Sequence, residues 1–417
     1  MSEEIFVYEN FFSEVPNFMG TMFIDAIRGT EHCSFEFDEE WLRRQMLKST
    51  IDPYLSFYRG RQYPVSINNF GLFSDSAPDR WGRILMDRRE RIVANKTGRK
   101  PHKLQEFDYL IGVYDEVRMG ALRFKEDKNG PFLSDDTGLA VPPWTTLRTL
   151  EEASRNFESE DTILEEKWLS QLIKPGSSLG GARPKATVLD PDDNMWIAKF
   201  PSHNDTHNVG AWEMVAHELA KLCGLNVPEA KLQTFSEYGS TFLAKRFDRD
   251  GTKRIHFASA MTLLGKTDGA SSSDGSSYLD MVSFIKSNGA CPDADLLELW
   301  KRIVFNMSIT NTDDHLRNHG FILTRTGWRL SPLYDVNPVP YGNELSLNVD
   351  NESNEISVDL AISVAKYFGI DKINAEKTAR TIIETVQNNW KKLAEKNGIG
   401  RNGIELMSPA FSIKYNH

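Results

Sequence analysis

The chain has 417 residues, of which 40% are hydrophobic and 26% are charged, a globular composition and a length that predict two or three domains. Its net charge of −10 argues against a protein that coats nucleic acid or an anionic membrane surface along its whole length. The three cysteines are far apart and odd in number, which excludes a disulfide framework and predicts no zinc site.

No apolar run approaches the roughly 20 residues that a helix needs to span a bilayer. The acidic start, Met1-Ser2-Glu3-Glu4, lacks the basic and apolar regions of a secretory signal. We therefore expect a cytoplasmic protein with no membrane partner.

The N-terminal part alternates short apolar runs with polar breaks. Strands are predicted at residues 5–8, 20–27, 34–37 and 119–124, and a charged helix is predicted over residues 75–93 with Asp75 or Ser76 as its start. Turn residues and charges over residues 126–147 predict a domain boundary.

The pattern changes from about residue 150 onward. A helix over 149–172 precedes a hairpin of strands 185–189 and 195–200, a helix over 208–223 and a strand over 241–246. The rest is mostly helical, with a buried helix near 296–307 and a last helix over roughly 372–396. A mobile loop is predicted at 268–277 and a strand at 320–323. A small sheet followed by a helical mass is one way to build a nucleotide cleft.

The stretch from Asn311 to Asn318 has the spacing of a phosphotransfer loop. Asp313 and Asn318 lie five residues apart, and Asp335 follows in Tyr334-Asp335-Val336. A kinase needs this order: a base beside the attacking hydroxyl, then an amide and a carboxylate on metal ions. His315 and Arg317 lie beside them and could contact phosphate. The alternative is a polar turn whose side chains bond to their own backbone.

Three weaker signals lie upstream in the order that a kinase uses. The glycines over residues 177–185 could form an anion-binding turn with Lys185, or a simple connector. Lys199 lies among apolar residues and could pair with phosphate or Glu213, or extend from a strand edge. The segment 245–249 could border an adenine site, or form a solvated turn.

Together these segments resemble the HipA family of serine/threonine kinases, the toxins of bacterial toxin–antitoxin pairs. The residues that carry the resemblance are Ser178 to Lys185, Ile197-Ala198-Lys199, Lys245 to Arg249, Thr312 to Asn318 and Pro332 to Val336. Residues Phe70 to Phe73, Pro78 to Arg83 and Asp115 to Leu122 resemble that family's N-terminal region.

The resemblance implies an α+β, kinase-like two-lobed fold with a β-rich N-terminal subdomain and a helical C-terminal lobe. We expect the N-terminal subdomain over residues 1–135 and the kinase-like core over 150–417, with its sheet lobe at about 165–250 and its helical lobe at about 255–417. ATP and Mg²⁺ would be the cofactors.

The resemblance also implies roles for individual residues. Asp313 and Lys199 would be catalytic, and Asn318 and Asp335 would bind the metal. Nucleotide contacts are expected from Gly180, Gly181, Ala182, Arg183, Pro184, Lys185, Lys199, Lys245, Arg246, Phe247, His315, Tyr334 and Asp335. Family members silence themselves by phosphorylating a serine of the Gly-rich loop, and Ser178 matches that position, with Ser177 as the neighbouring alternative.

As a member of that family, the protein would be an ATP-dependent protein kinase that phosphorylates a translation component, such as a glutamate tRNA synthetase. Its partner would be a helix-turn-helix antitoxin, and operator DNA would be reached only through that partner. The competing hypothesis is a catalytically inactive, kinase-shaped module that binds the antitoxin and co-represses its operon. A weaker third hypothesis is a small-molecule phosphotransferase of related fold.

Overall fold

A computed structural model describes residues 3–27, 30–45, 47–65, 69–133, 141–158, 169, 172, 181 and 183–413. The chain folds into two compact units: the first comprises Met1–Asn204 and Leu243–Ala258, and the second comprises Asp205–Phe242 and Ser259–His417. The domain boundaries expected from the sequence remain a prediction. Within the described ranges, no helix is both long and apolar enough to cross a bilayer.

The first unit begins with a four-stranded antiparallel sheet in the order β3-β2-β1-β4. Its strands are β1 (Glu3–Glu9), β2 (Asn17–Ile27), β3 (Thr30–Phe37) and β4 (Leu122–Lys125). Gly20 sits where β1 and β3 flank β2, and a Cβ there would lie 2.2 Å from the Glu36 carbonyl oxygen. The four predicted strands are confirmed, although β4 begins three residues later than predicted.

The helices of the first unit are α1 (Glu39–Arg44), α2 (Gly71–Ser74), α3 (Arg80–Lys96), α4 (Glu106–Ile111) and α5 (Leu147–Glu158), with a 3₁₀ turn at Trp144–Thr146. The predicted start of α3 at Asp75 or Ser76 is wrong. Asp79 caps the helix by accepting from the Gly82 N–H at 2.8 Å, whereas Asp75 ends α2. The helix predicted over 149–172 is confirmed as far as residue 158, and most of its remainder lies outside the described residues.

A β-hairpin follows in the first unit, formed by β5 (Lys185–Leu189) and β6 (Met195–Lys199). Asp190 closes its turn by accepting from the backbone N–H of Asp192 and Asn194. The hairpin prediction is therefore confirmed. The unit is completed by the end of β8 (Gly239–Lys245), by β9 (Arg249–Asp250) and β10 (Lys253–Arg254), and by the start of β11 (Phe257–Ser259).

The second unit is mainly helical. Its elements are α6 (Val209–Leu222), β7 (Ala230–Ser236) beside the start of β8, α7 (Ala260–Leu263), α8 (Tyr278–Asn288), α9 (Pro292–Ser308), the hairpin β12 (Gly320–Thr324) and β13 (Gly327–Leu330), α10 (Val358–Val364), α11 (Lys372–Lys396) and α12 (Arg401–Met407). Its 3₁₀ segments are Ser272–Asp274, Leu316–Asn318, Ala365–Phe368 and Ser408–Phe411.

The apolar periodicity in this unit correctly predicted its long helices. Leu299, Trp300 and Ile303 on α9 are fully buried, and α11 covers the predicted range of residues 372–396. The predicted loop at 268–277 is partly wrong, because Ser272–Asp274 forms a 3₁₀ turn with Ser271 as its N-cap and Gly275 as its C-cap. The predicted α+β class, β-rich in its N-terminal part and helical in its C-terminal part, is confirmed.

Candidate active site

The loop that follows α9 leaves its helix in a fixed direction. The Thr310 N–H donates to the Met307 carbonyl at 3.2 Å, and the Asn311 N–H donates to the Asn306 carbonyl at 2.8 Å, the two bonds of a Schellman motif. Thr310 has a φ of +50°, and its hydroxyl donates to the Ala410 carbonyl at 2.9 Å. The predicted functional residues begin three positions later.

Asp313, the predicted base, has an exposed side chain in this loop. Although the carboxylate reaches the surface, the protein around it partly removes it from water, which raises its pKa above the ordinary value. The carboxylates of Asp335 and Asp314 raise this pKa further, and His315 lowers it. An accessible carboxyl group with a raised pKa is suited to accept a proton from a hydroxyl.

Asn318 ends the 3₁₀ segment Leu316–Asn318 and is 3% exposed. Its side-chain amide donates to the Asp313 carbonyl at 2.8 Å, which fixes the orientation of the amide group. Its Oδ1 atom is buried and accepts no hydrogen bond from any described residue. A buried oxygen without a donor is unfavourable unless something else binds it, and a hard cation such as Mg²⁺ prefers this kind of ligand.

Asp335 lies in the segment after β13 and has a φ of +57°, a conformation that is uncommon outside glycine. Residues held this way cluster at functional sites. Its half-buried carboxylate is close enough to raise the pKa of Asp313. The structure therefore places Asn318 and Asp335 each near Asp313, and the roles of these three residues stay predictions.

Three other predicted phosphate or nucleotide contacts lie beside them. The Tyr334 hydroxyl donates to the Arg317 carbonyl at 2.7 Å, joining the Asp335 segment to the loop. The Arg317 guanidinium pairs with Asp268 at 3.2 Å. His315 is half-buried, and its Nδ1 atom has no hydrogen-bond partner in the part of the chain that the structure describes.

A buried polar group beneath the loop was not predicted. Asp314 is 1% exposed and accepts from the Tyr278 hydroxyl at 2.6 Å, and its Oδ2 lies 2.9 Å from His319 Nε2. Burial alone would raise the pKa of Asp314, but His319 and Tyr278 lower it below its ordinary value. The adjacent pair Asp313-Asp314 was the available signal for this group in the sequence. Two neighbouring carboxylates in one loop face different surroundings, and here Asp313 is exposed while Asp314 is buried.

In the first unit, Lys185 is held inside the protein rather than presented to solvent. Its ammonium lies 2.6 Å from Asp79 Oδ2, with both side chains 1% exposed, and it also donates to the Gly181 carbonyl at 3.1 Å. Trp81 Nε1 donates to the Lys185 carbonyl at 3.0 Å. The predicted phosphate role of Lys185 stays a prediction, and Asp79 already neutralises its charge.

Lys199 lies directly opposite Lys185 at the end of the β5–β6 hairpin. Directly opposed residues in antiparallel strands project to the same face. The Lys199 side chain is half-buried. In the second unit, Glu213 is 3% exposed on α6. The pairing of Lys199 with Glu213 remains a prediction.

The segment after β8 contains a buried ionic network. The Arg246 guanidinium binds Asp248 at 2.7 Å and the Val117 carbonyl at 2.7 Å, and its backbone N–H donates to the Met195 carbonyl. The side chain and N–H of Arg246 are thus committed to the fold. The neighbouring Lys245 and Phe247 are both half-buried. Their adenine contacts stay a prediction.

Part of the predicted Gly-rich loop lies outside the described residues, namely Ser177, Ser178, Gly180 and Ala182. Of its other members, Gly181 is exposed with a φ of +47°, Arg183 is half-buried, and the Pro184 carbonyl accepts from the Phe200 N–H.

Sequence comparisons relate the chain to proteins that are named as kinases. A Shewanella oneidensis serine/threonine-protein kinase toxin, HipA, is among the relatives: 24% of 253 aligned residues are identical, covering 52% of this chain and 57% of that protein. A Haemophilus influenzae protein with a provisional kinase name is 27% identical over 213 residues, 45% of this chain and 61% of that protein. The chain thus matches less than two thirds of the length of each.

A solved structure shares the fold over nearly the whole chain. It is HipA of Shewanella oneidensis in a complex with HipB and operator DNA, with a TM-score of 0.66 and 15% identity over 98% of this chain and 95% of that chain. The fold is therefore kinase-like and is similar to that of HipA.

The model of the HipA-like C-terminal domain family matches residues 177–390, which include Lys185, Lys199, Asp313, Asn318 and Asp335. Because this match covers just over half of the chain, the protein belongs to the HipA family.

Proposed function

We propose that the protein is an ATP-dependent serine/threonine-protein kinase that acts as the toxin of a toxin–antitoxin pair. The observation that carries the proposal is the buried Oδ1 of Asn318, which lacks a hydrogen-bond donor among the described residues beside an accessible carboxyl group of raised pKa, that of Asp313. A polar turn with self-capping side chains would satisfy that oxygen within the chain.

The residues present fit a magnesium ion. Asn318 and Asp335 supply an amide and a carboxylate oxygen, and no cluster of three or more His, Cys, Asp or Glu side chains suited to a metal occurs among the described residues. Mg²⁺ commonly takes one or two protein ligands, water and substrate phosphates. When bound, the ion would offset negative charge on the transferring phosphoryl group.

The chain's own residues supply the remaining chemistry. Asp313 orients the attacking serine or threonine hydroxyl and accepts its proton at a carboxylate oxygen. The Asn318 amide holds the Asp313 backbone, which limits how far the base can move. Lys199 supplies positive charge toward the nucleotide phosphates, and the region of Lys245 to Phe247 borders the adenine.

Self-inactivation belongs to the same proposal. Ser178, or its neighbour Ser177, would receive a phosphate in the Gly-rich loop. A phosphate adds nearly two negative charges where the loop would otherwise hold those of ATP. Mass spectrometry after incubation with Mg-ATP is expected to find this phosphate, and a chain that stays unmodified would remove self-inactivation from the proposal.

The partner would be a helix-turn-helix antitoxin, and the solved HipA relative is itself bound to HipB and operator DNA. We propose that this chain meets operator DNA through such a partner, that its protein substrate is a translation component, with a glutamate tRNA synthetase as the first candidate, and that it acts in the cytoplasm. Proteomic measurement of phosphorylated sites after brief induction would identify the substrate.

Isothermal titration separates a kinase from a module that only binds an antitoxin. The full chain is titrated with ATP in the presence and absence of Mg²⁺. The expected result is saturable binding that strengthens with Mg²⁺. Absence of nucleotide binding under both conditions would favour the inactive module.

A further inference from the structure

The helix before the candidate catalytic loop ends in an unusual residue. In a Schellman motif the position after the helix adopts a left-handed conformation that favours glycine. In this chain α3, α6 and α11 are followed by Gly98, Gly224 and Gly398, with φ values of +67°, +70° and +77°. At the end of α9 the corresponding residue is Thr310, a β-branched residue for which a φ of +50° is strained.

The Thr310 side chain makes a hydrogen bond that a glycine at this position could not make. Thr310 is 8% exposed, and its Oγ1 donates to the Ala410 carbonyl at 2.9 Å across 100 residues of sequence. The helix end therefore accepts strain and gains a bond to the C-terminal 3₁₀ segment. Since the Thr310 and Asn311 N–H groups already satisfy the Met307 and Asn306 carbonyls, this bond is not needed to cap the helix.

The C-terminal segment is itself well anchored. Phe411 is 4% exposed and stacks on Trp390 of α11, with ring centroids 4.4 Å apart and planes 9° apart. On another side it lies 6.0 Å from Trp212 of α6, the residue before Glu213. Ala410 is fully buried. The carbonyl that Thr310 binds is thus fixed to two long helices.

We infer, on the basis of the proposed function, that the segment Met407–Phe411 is a positioning element for phosphotransfer, acting through Thr310. The Thr310 hydroxyl fixes the point at which the chain leaves α9, three residues before Asp313. Gly342 also lies close to the segment between Thr310 and Asp313, since a Cβ added to it would lie 2.4 Å from Thr312 Cγ2. The Gly342 backbone therefore limits how far Thr312 can move. Thr310 is a positioning residue, because its hydroxyl is bound to the Ala410 carbonyl and acts on Asp313 only through the intervening chain.

Three substitutions at this position separate positioning from simple structural support. Thr310→Gly removes the strain and the hydroxyl, Thr310→Val removes the hydroxyl and keeps the branched shape, and Thr310→Ser keeps the hydroxyl. For the full chain we expect Thr310→Gly to have about wild-type stability, because relief of the backbone strain offsets the lost bond to the Ala410 carbonyl. We expect it nevertheless to lose between about tenfold and a hundredfold in kcat, with little change in KM for ATP. Thr310→Val should lose kcat similarly, and Thr310→Ser should recover most of it.

Hydrogen exchange provides a readout that does not require phosphotransfer. Amides of residues 311–318 should exchange faster in the Gly and Val variants than in wild type and Thr310→Ser, while amides of α11 should not change. If wild type lacks kinase activity but this exchange pattern is seen, the proposed function fails and the positioning contact stands. Wild-type turnover and wild-type loop exchange in Thr310→Gly would overturn the inference, and the same result for Thr310→Val decides the matter if the Gly variant does not fold.

Discussion

Lys185 and Lys199 lie directly opposite each other at the end of the β5–β6 hairpin, so two ammonium groups project from the same face of the sheet. Like charges in this arrangement destabilise a sheet. Asp79 pairs with Lys185 at 2.6 Å and compensates its positive charge. Asp79, the N-cap of α3, thus leaves Lys199 opposite a lysine whose charge is already compensated.

Replacing Asp79 with asparagine should therefore destabilise the protein strongly. The new amide side chain would still cap α3 but would leave the buried Lys185 ammonium without its counter-charge, a change that typically costs roughly 3–5 kcal/mol. Denaturant unfolding followed by tryptophan fluorescence measures the loss. The matched control is Asp38→Asn, which replaces the cap of α1, where the side chain accepts from the Trp41 N–H. Equal effects at the two sites would contradict the role of the buried pair, whereas adding Lys185→Met to Asp79→Asn should restore part of the stability.

The Lys185–Asp79 contact shows what sequence reasoning could not supply. The hairpin itself was predictable, because two β-rich runs flank a turn of Asp, Pro and Asn. The buried partner of Lys185 is 106 residues away and leaves no local signal. The Gly-rich segment predicted that the Lys185 ammonium lies near phosphate. The sequence alone does not show that Asp79 already pairs with that ammonium.

Helix positions show the same division between local and distant information. The bounds of α11 follow from its apolar period and the Asp371 cap. The start of α3 was mispredicted because Asp75, Ser76 and Asp79 are all competent caps within five residues, and only the fold shows which one meets an N–H group. In the candidate catalytic loop, the spacing indicates Asp313, Asn318 and Asp335 as site residues, which stays a prediction, whereas the bond from Tyr278 of α8 to Asp314 could not be foreseen.

Removing the Asn318 side chain should weaken metal binding specifically. Asn318→Ala loses the buried Oδ1, so the Mg²⁺ concentration for half-maximal nucleotide binding should rise by at least about tenfold, while metal-free nucleotide binding is kept. Titration calorimetry at several Mg²⁺ concentrations measures both quantities. Asn389→Ala on α11 is a control that also removes a side-chain amide. An unchanged Mg²⁺ requirement in Asn318→Ala would show that this oxygen is not a ligand.

Asp313 should impose a recognisable pH dependence. Its raised pKa means that the reactive carboxylate is lost as pH falls through a value above the ordinary aspartate pKa of about 3.9. The effect of the same group on stability runs in the opposite direction to its effect on activity. Because the fold favours protonated Asp313, the stabilisation is complete below the pKa of the unfolded chain and is lost as pH rises through the pKa of the folded chain.

Asp313→Asn is therefore expected to melt at the same or a slightly higher temperature than wild type at pH 7 and without metal. Differential scanning calorimetry tests this expectation. A clear loss of stability at neutral pH would mean that the carboxylate supports the fold rather than the chemistry.

Tyr278 should stabilise the floor of the site through Asp314. Tyr278→Phe removes a hydrogen bond to a buried carboxylate, a loss of roughly 1.5–3 kcal/mol. Because the Asp314 pKa is lowered, its stabilising contribution is present above the unfolded pKa and is lost as pH falls through the folded pKa. The variant should thus unfold at a higher pH during acid titration. Tyr238→Phe, at a tyrosine that is 49% exposed, is the control, and equal acid unfolding of the two variants would argue against this role.

The most direct test of the kinase assignment is transfer of phosphate from γ-labelled ATP to the chain itself in the presence of Mg²⁺. Wild type and the exposed-site control Asp293→Asn are expected to incorporate label at the same rate, and Asp313→Asn at a rate lower by at least about a hundredfold. Labelling of Asp313→Asn at the wild-type rate, or no labelling of a wild-type chain that binds Mg-ATP, would contradict the account.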